Sequence, residues 1–177
     1  KLDKLVDEMI ELIGEAQEED GYIATQITAN PNKGRWERHK HHELYTMGHM
    51  VTVACVHYRV TGKTSLLKVA RKCTDLGWDF FSVHQADYKT FPNNPSIIMG
   101  AVDLYRVTGE KSYLDLANHF IDSRGKYPPT REEKQEAMKL QAHVASYVSS
   151  QGLINNQNFV PLRESKEVLG HAVFYTY

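Results

Sequence analysis

The sequence predicts an all-α protein built from α/α hairpin repeats, and three observations support this fold class. Apolar residues recur with a helical period, and no segment shows a convincing alternation of apolar and polar residues typical of a β-strand. Residues 58–75 and 105–122 also match at nine of eighteen positions, at a shift of 47 residues. Each copy contains the end of one helix, a Thr-Gly turn and the start of the next helix. Such repeats either stack into an open solenoid or close into an α/α toroid.

Five helices are predicted in chain order. The first follows an apolar stripe with i, i+3, i+4, i+7 spacing in residues 2–16. A long loop follows in residues 20–41, where turn signals interrupt the helical period while Tyr22 and Trp36 supply apolar anchors. The four remaining helices are predicted at about His42–Thr61, Ser65–Phe81, Ser96–Thr108 and Ser112–Ser123.

The repeat also predicts how these helices are layered. Equivalent elements of repeated hairpins occupy equivalent layers, so helices 42–62 and 96–109 should be parallel neighbours on an inner layer. The second helix of each hairpin should lie on the outer layer. Gly62 and Gly109 are expected just past the helix ends with positive φ, since glycine adopts the left-handed conformation without a Cβ penalty.

The C-terminal part of the chain breaks the repeat. Residues 125–160 contain a double proline and a charged run, which predict a solvated insertion with one surface helix. A new apolar element is still in progress at Tyr177. We therefore expect residues 1–177 to be a single partial α/α-barrel domain that is truncated on its C-terminal side. The alternative is a last helix that simply ends there.

Composition excludes several classes of function. Lys plus Arg is 21 and Asp plus Glu is 22, so bulk positive charge for nucleic acid is absent. No apolar run approaches the roughly 20 residues of a membrane span. The acidic, amphipathic N-terminus is not a signal peptide as given, and two cysteines cannot form a disulfide scaffold. A cytoplasmic and a periplasmic or secreted location both stay open, and so does the oligomeric state.

Histidines dominate the residues able to carry chemistry. Four of the nine lie in the segment HKHHELYTMGH at 39–49. Three interpretations are open: a metal site, a solvated loop end with one buried His49, and a polar pocket that binds sugar. The spacing is wrong for H-E-x-x-H, and no cysteine joins the cluster. Cys55 and Cys73 have no His or Lys partner in a nucleophile arrangement, and they are interpreted as core residues.

Four motifs, taken in order, resemble the β-L-arabinofuranosidase family of glycoside hydrolases. They are DGYI at 20–23, HELYTMGH at 42–49, LYRVTGEKSYLDLANHFIDSRG at 104–125 and PLRESKEVLGHAV at 161–173. The resemblance implies an (α/α)6-barrel catalytic domain, usually followed by β-sandwich domains. It also implies a retaining mechanism with a zinc-bound cysteine nucleophile and a glutamate acid/base, the zinc being held by several cysteines and a glutamate. The implied substrates are arabinose-containing plant glycans.

The resemblance assigns the sugar subsite to two histidines. Those of the HELY and GHAV motifs match His42 and His171, and we expect Tyr22, Trp36 or Tyr45 to supply an apolar wall beside them. On spacing alone, a core histidine is the favoured interpretation of His171, and a ligand-binding group is the alternative.

The sequence departs from the family pattern at two places. The family often has a G-H-x-E stretch where this chain has residues 93–96, Asn-Asn-Pro-Ser, and GHAVR becomes GHAVF with Phe174. The family's cysteines and glutamates lie beyond the GHAV motif. We therefore expect no catalytic residue, no metal ligand and no bound zinc in this chain, and no activity of the 177 residues alone. An inactive sugar-binding homologue and a helical repeat scaffold that binds protein partners are the alternatives.

Overall fold

The computed structural model describes residues 1–37, 41–83, 92, 94–124, 161–164 and 166. All regular structure in these ranges is helical, which confirms the all-α prediction. The helices are α1 (Leu2–Glu15), α2 (Thr25–Thr28), α3 (Glu43–Thr61), α4 (Ser65–Val83), α5 (Ser96–Thr108) and α6 (Lys111–Ser123). None of these helices has the length and apolar character needed to cross a membrane.

The chain forms two compact units, Lys1–His119 and Phe120–Tyr177. The first unit holds α1 to α5 and most of α6. The predicted surface helix in 125–160 and the GHAV segment with His171 and Phe174 lie outside the described residues. The single partial domain stays a prediction.

Three predicted boundaries and one loop assignment need small corrections, and one of these boundaries is the start of α6, at Lys111 instead of Ser112. The helix predicted from His42 begins at Glu43, with His42 as the residue that precedes its first turn. Helix α4 continues two residues past the predicted end, to Val83. The loop in residues 20–41 contains the short helix α2, which is a single turn and therefore too short to show a period.

The two repeated hairpins end their first helices in the same way, as predicted. Gly62 has φ +73° and Gly109 has φ +78°, and their amides donate to the carbonyl oxygens of Tyr58 and Tyr105 at 2.8 and 2.7 Å. In each hairpin the threonine before the glycine accepts a hydrogen bond from the backbone amide that follows the glycine. The Thr-Gly pair of the sequence repeat therefore forms the same turn in both hairpins.

Helices α3 and α5 are parallel neighbours, which confirms that part of the layer prediction. Gly48 of α3 lies against the backbone of Ile97, and Gly100 of α5 lies against Gly48 and Val51 further along both helices. Each glycine faces backbone atoms where a Cβ would collide. The two backbones approach so closely because neither residue has a side chain.

Helices α1, α4 and α6 form a second layer. Gly14 of α1 lies beside Val69 of α4, and Gln17 donates to the Val69 carbonyl oxygen at 3.0 Å. Tyr113 of α6 donates to Asp75 of α4 at 2.8 Å. With α3 and α5 on one layer and these helices on the other, the described chain is part of an α/α barrel, as predicted. On α1 only Ile10 is buried, and most of the predicted apolar stripe is exposed.

Candidate functional site

The N-terminal ends of α3 and α5 lie side by side, and this edge of the fold is called the rim below. The Ser96 hydroxyl at the start of α5 donates to the Tyr45 carbonyl oxygen in the first turn of α3 at 3.0 Å. Asn94 is buried, and its side-chain oxygen accepts the backbone amide of Ser96 at 3.1 Å. Asn94, which stands where the family often carries its G-H-x-E stretch, therefore serves the start of α5.

A row of three rings, of which His49 is half-buried, runs along α3 from this rim. His42 and Tyr45 lie edge to face with 5.7 Å between ring centroids, and Tyr45 and His49 do so at 4.6 Å. Tyr45 is 37% exposed and His42 is exposed as well. Spacings of three and four residues place these rings on one helix face. The row offers imidazole donors and acceptors beside an aromatic ring, and such groups are typical of sites that bind hydroxylated ligands.

The backbone at His42 is held in an uncommon conformation. Its φ is +59°, in the left-handed region that residues with a Cβ seldom occupy. The His42 carbonyl oxygen accepts hydrogen bonds from the Thr46 amide at 2.9 Å and the Thr46 hydroxyl at 3.0 Å. The preceding carbonyl, of His41, accepts from the Gln26 side chain. These bonds fix the peptide groups on both sides of His42.

Glu43, the next residue, is a buried carboxylate, 6% exposed. Its Oε1 accepts hydrogen bonds from the Tyr22 hydroxyl and from the Trp36 backbone amide, the second at 2.9 Å. Its Oε2 is buried without a hydrogen-bond partner and lies 3.8 Å from His41 Nδ1, which is buried and unpartnered too. Burial, followed by the hydrogen bond to Glu43, raises the pKa of Tyr22 above its ordinary value. Tyr22 therefore stays a neutral donor at physiological pH.

The two loop aromatics pack behind this carboxylate. Tyr22 is 3% and Trp36 4% exposed. The Trp36 ring lies 5.5 Å from Tyr22 and 4.5 Å and 5.4 Å from Phe80 and Phe81 of α4, measured between centroids. The Arg35 guanidinium lies over the Tyr22 ring at 4.2 Å. The predicted loop therefore packs on α4, as its apolar anchors indicated.

The predicted site residues thus fall into an exposed pair and a buried pair. His42 and Tyr45 are exposed together, while Tyr22 and Trp36 lie buried behind them with their rings against protein. His171 lies outside the described residues. The sugar-binding role of all five stays a prediction.

At the sequence level Glu43 entered only as a carboxylate beside the histidines of the metal-site interpretation, and Gln26 entered none. His49, the buried histidine of the solvated-loop interpretation, is half-buried and its ring contacts Tyr45. An acidic residue in the first turn of a helix was the available signal for Glu43, but that pattern is common and usually means a solvated charge near the helix dipole.

The described residues supply no metal centre: no three of their His, Cys, Asp and Glu side chains come close enough to hold an ion. Both cysteines are buried. Burial raises the pKa of Cys55 to about 11 and that of Cys73 to about 12, so both are thiols at neutral pH. A zinc-activated thiolate therefore does not fit these two residues.

Comparison with known proteins gives consistent matches. The profile of the family described as "Beta-L-arabinofuranosidase, GH127 catalytic domain" matches residues 1–176. A curated relative, the non-reducing end β-L-arabinofuranosidase of Bifidobacterium longum subsp. longum, is 33% identical over 150 residues, which cover 78% of this chain and 22% of the relative.

Two solved structures are similar over nearly the whole chain. A GH127 β-L-arabinofuranosidase from Geobacillus stearothermophilus T6 has 32% identity and a TM-score of 0.79, covering 98% of this chain and 27% of that one. The GH127 β-arabinofuranosidase BT3674 has 32% identity and a TM-score of 0.69, covering 97% and 25%. The chain thus spans about a quarter of the length of these relatives.

Proposed function

Because the chain belongs to the GH127 family of β-L-arabinofuranosidases, we propose that the protein carrying it hydrolyses β-L-arabinofuranosides of plant glycans. The chain supplies part of the sugar-binding rim in this proposal. The observation that carries the assignment to this rim is the exposed His42–Tyr45 pair at the start of α3, placed where the family resemblance puts a sugar-contacting histidine.

The chemistry of the rim suits a furanose. A neutral imidazole offers one donor and one acceptor at fixed angles, which matches the hydroxyls of a sugar ring. The Tyr45 ring beside His42 supplies an apolar surface for the C–H face of the sugar. His171 completes the pocket in this proposal, and the buried Tyr22 and Trp36 support the rim from behind through their hydrogen bonds to Glu43.

The family's zinc-bound cysteine nucleophile and glutamate acid/base are proposed for the intact protein. Zinc, when bound, lowers the pKa of a coordinating thiol and so supplies a nucleophile. The described residues do not offer the ligands for it. No step is therefore assigned to Cys55 or Cys73, and the role proposed for this chain is to bind and orient the sugar.

An inactive sugar-binding homologue is the second candidate, and Asn94 favours it. In this chain Asn94 accepts the Ser96 amide and is buried, so it does not offer the imidazole that the family often has in the G-H-x-E stretch. Such a protein would bind arabinofuranose through His42 without turning over a glycoside.

The test is the hydrolysis of p-nitrophenyl β-L-arabinofuranoside by the intact protein. We expect turnover, and we expect His42→Ala and His171→Ala each to lower kcat/KM by about 10- to 1000-fold, equivalent to about 1.4–4 kcal/mol. His57→Ala is a matched control, because His57 lies on the same helix near its other end. Arabinose binding without turnover would select the inactive homologue, and neither binding nor turnover would refute both proposals.

A further inference from the structure

We infer that Glu43 is the positioning residue for His42: its buried carboxylate fastens the loop that carries Tyr22 and Trp36 to the first turn of α3 and so sets the direction of the neighbouring imidazole. The inference rests on the proposed function, since it takes His42 as the sugar-binding group. Glu43 itself is buried and acts through its neighbour.

One oxygen atom of Glu43 accepts two hydrogen bonds from the loop. Oε1 of Glu43 accepts from the Tyr22 hydroxyl and from the Trp36 amide, which lie 21 and 7 residues away in the sequence. Hydrogen bonds to a charged acceptor are about twice as strong as neutral ones. A single atom next to His42 therefore joins two separate points of the loop to helix α3.

The backbone is strained at two residues attached to this carboxylate. Among the described residues other than glycine, only Trp36 and His42 have positive φ, at +56° and +59°. Such conformations persist where the surrounding structure over-determines them, and they cluster at functional sites. Trp36 donates its amide to Glu43, and His42 is bonded to it through the chain. Both strained residues are thus attached to Glu43, Trp36 by a hydrogen bond to its side chain and His42 by a peptide bond.

Burial of Glu43 lowers the stability of the fold. Its second oxygen, Oε2, is buried without a hydrogen-bond partner, and the nearest polar atom given for it is His41 Nδ1 at 3.8 Å. Burying a carboxylate that is only half satisfied destabilises a protein relative to an apolar or amide side chain of the same shape. The fold therefore retains Glu43 at a cost in stability, while the two hydrogen bonds to Oε1 hold the loop beside His42.

The experiment compares two tyrosine variants that lose the same kind of bond. Tyr22→Phe removes the phenol that donates to Glu43, and Tyr113→Phe removes a buried phenol that donates to Asp75 at 2.8 Å between α4 and α6. In the intact protein, we expect Tyr22→Phe to raise KM for p-nitrophenyl β-L-arabinofuranoside about 10-fold with little change in kcat, because ground-state sugar binding is weakened. Tyr113→Phe should leave KM unchanged.

Substitution of Glu43 provides a second comparison. Glu43→Ala removes both hydrogen bonds and should raise KM at least as much as Tyr22→Phe. Glu43→Gln keeps an oxygen that accepts from Tyr22 and Trp36, so it should retain KM within about 2-fold of the wild type. Rescue by glutamine would show that the bonds, and not the charge alone, position His42.

A readout independent of turnover uses the isotope-labelled 177-residue chain. The NMR signal of the His42 ring, assigned by its loss in His42→Ala, should shift in Tyr22→Phe and stay in place in Tyr113→Phe. An unchanged His42 signal and KM in both Tyr22→Phe and Glu43→Ala would overturn the inference, and so would equal changes in Tyr113→Phe. If the wild-type protein showed no turnover, the proposed function would fail, and the ring signal would still decide the positioning role.

Discussion

Substitution of Gly48 by alanine tests the contact on which the rim depends. A Cβ at residue 48 would lie 2.3 Å from the backbone nitrogen of Ile97 and 2.3 Å from the carbonyl carbon of Ser96. Carbon and nitrogen atoms in good contact are about 3.5 Å apart. Helices α3 and α5 would therefore have to separate by about 1 Å at their N-terminal ends. Because the obstructing atoms are backbone, no side-chain rotation relieves the collision.

The magnitude follows from two opposing terms. Overpacking of this kind costs about 3 kcal/mol, at the upper end of the usual range, because it displaces a helix. Replacing glycine by alanine inside a helix returns about 1 kcal/mol of helix propensity. We expect Gly48→Ala to lower the free energy of unfolding by about 2 kcal/mol. It should also strain the hydrogen bond from the Ser96 hydroxyl to the Tyr45 carbonyl, which lies beside the collision.

Gly77→Ala is the matched control, since Gly77 is also a buried glycine inside a helix. A Cβ there would meet only the terminal methyl of Met47, at 3.3 Å. That methyl can move, so the free energy of unfolding should stay unchanged or rise by up to about 1 kcal/mol. Urea unfolding followed by tryptophan fluorescence reports on the first compact unit, because both tryptophans lie within it. Equal stability of the two variants would refute the backbone contact between α3 and α5.

Three further predictions concern the turns, the cysteines and the pocket. Gly62→Val should lower the free energy of unfolding by about 1 kcal/mol or more, through left-handed strain alone, since a Cβ there meets nothing within 4 Å; an unchanged melting temperature would contradict the turn. The 177-residue chain should not hydrolyse arabinofuranosides even with zinc, and turnover abolished by Cys55→Ser or Cys73→Ser would overturn that expectation. In an experimental structure of the intact protein, the rings of His42 and His171 should face one pocket within about 15 Å of each other, and a larger separation would remove the support for the sugar subsite.

Local signals explain why so much of the fold was predictable. The Thr-Gly pairs indicated two helix ends because only glycine takes positive φ there without strain, and the structure shows φ of +73° and +78° at Gly62 and Gly109. The sequence repeat then predicted the same helix–turn–helix topology for both hairpins. Both signals lie within a few residues of the feature they predict, so tertiary context had little opportunity to override them.

Non-local contacts explain what the sequence could not show. The apolar stripe of α1 correctly predicted a helix, but it did not reveal that only Ile10 would be buried among its residues. Glu43 likewise sits in a first turn, where acids are usually solvated. Its burial depends on Tyr22 and Trp36 folding back from the preceding loop, and no spacing within the motif encodes that contact.

The residues of the motif HELYTMGH lie on different faces of α3 and have different roles there. Glu43 and Gly48 point inward, where one anchors the preceding loop and the other admits the backbone of α5. His42 and Tyr45 are exposed, and the half-buried His49 continues their row of rings. The helical period therefore places the residues that contact the loop and α5 on one face of α3 and the row of rings on another face. Because the inward pair fixes the loop and α5 against the same two turns, the rings proposed to bind the sugar rest on a helix that is held from two sides.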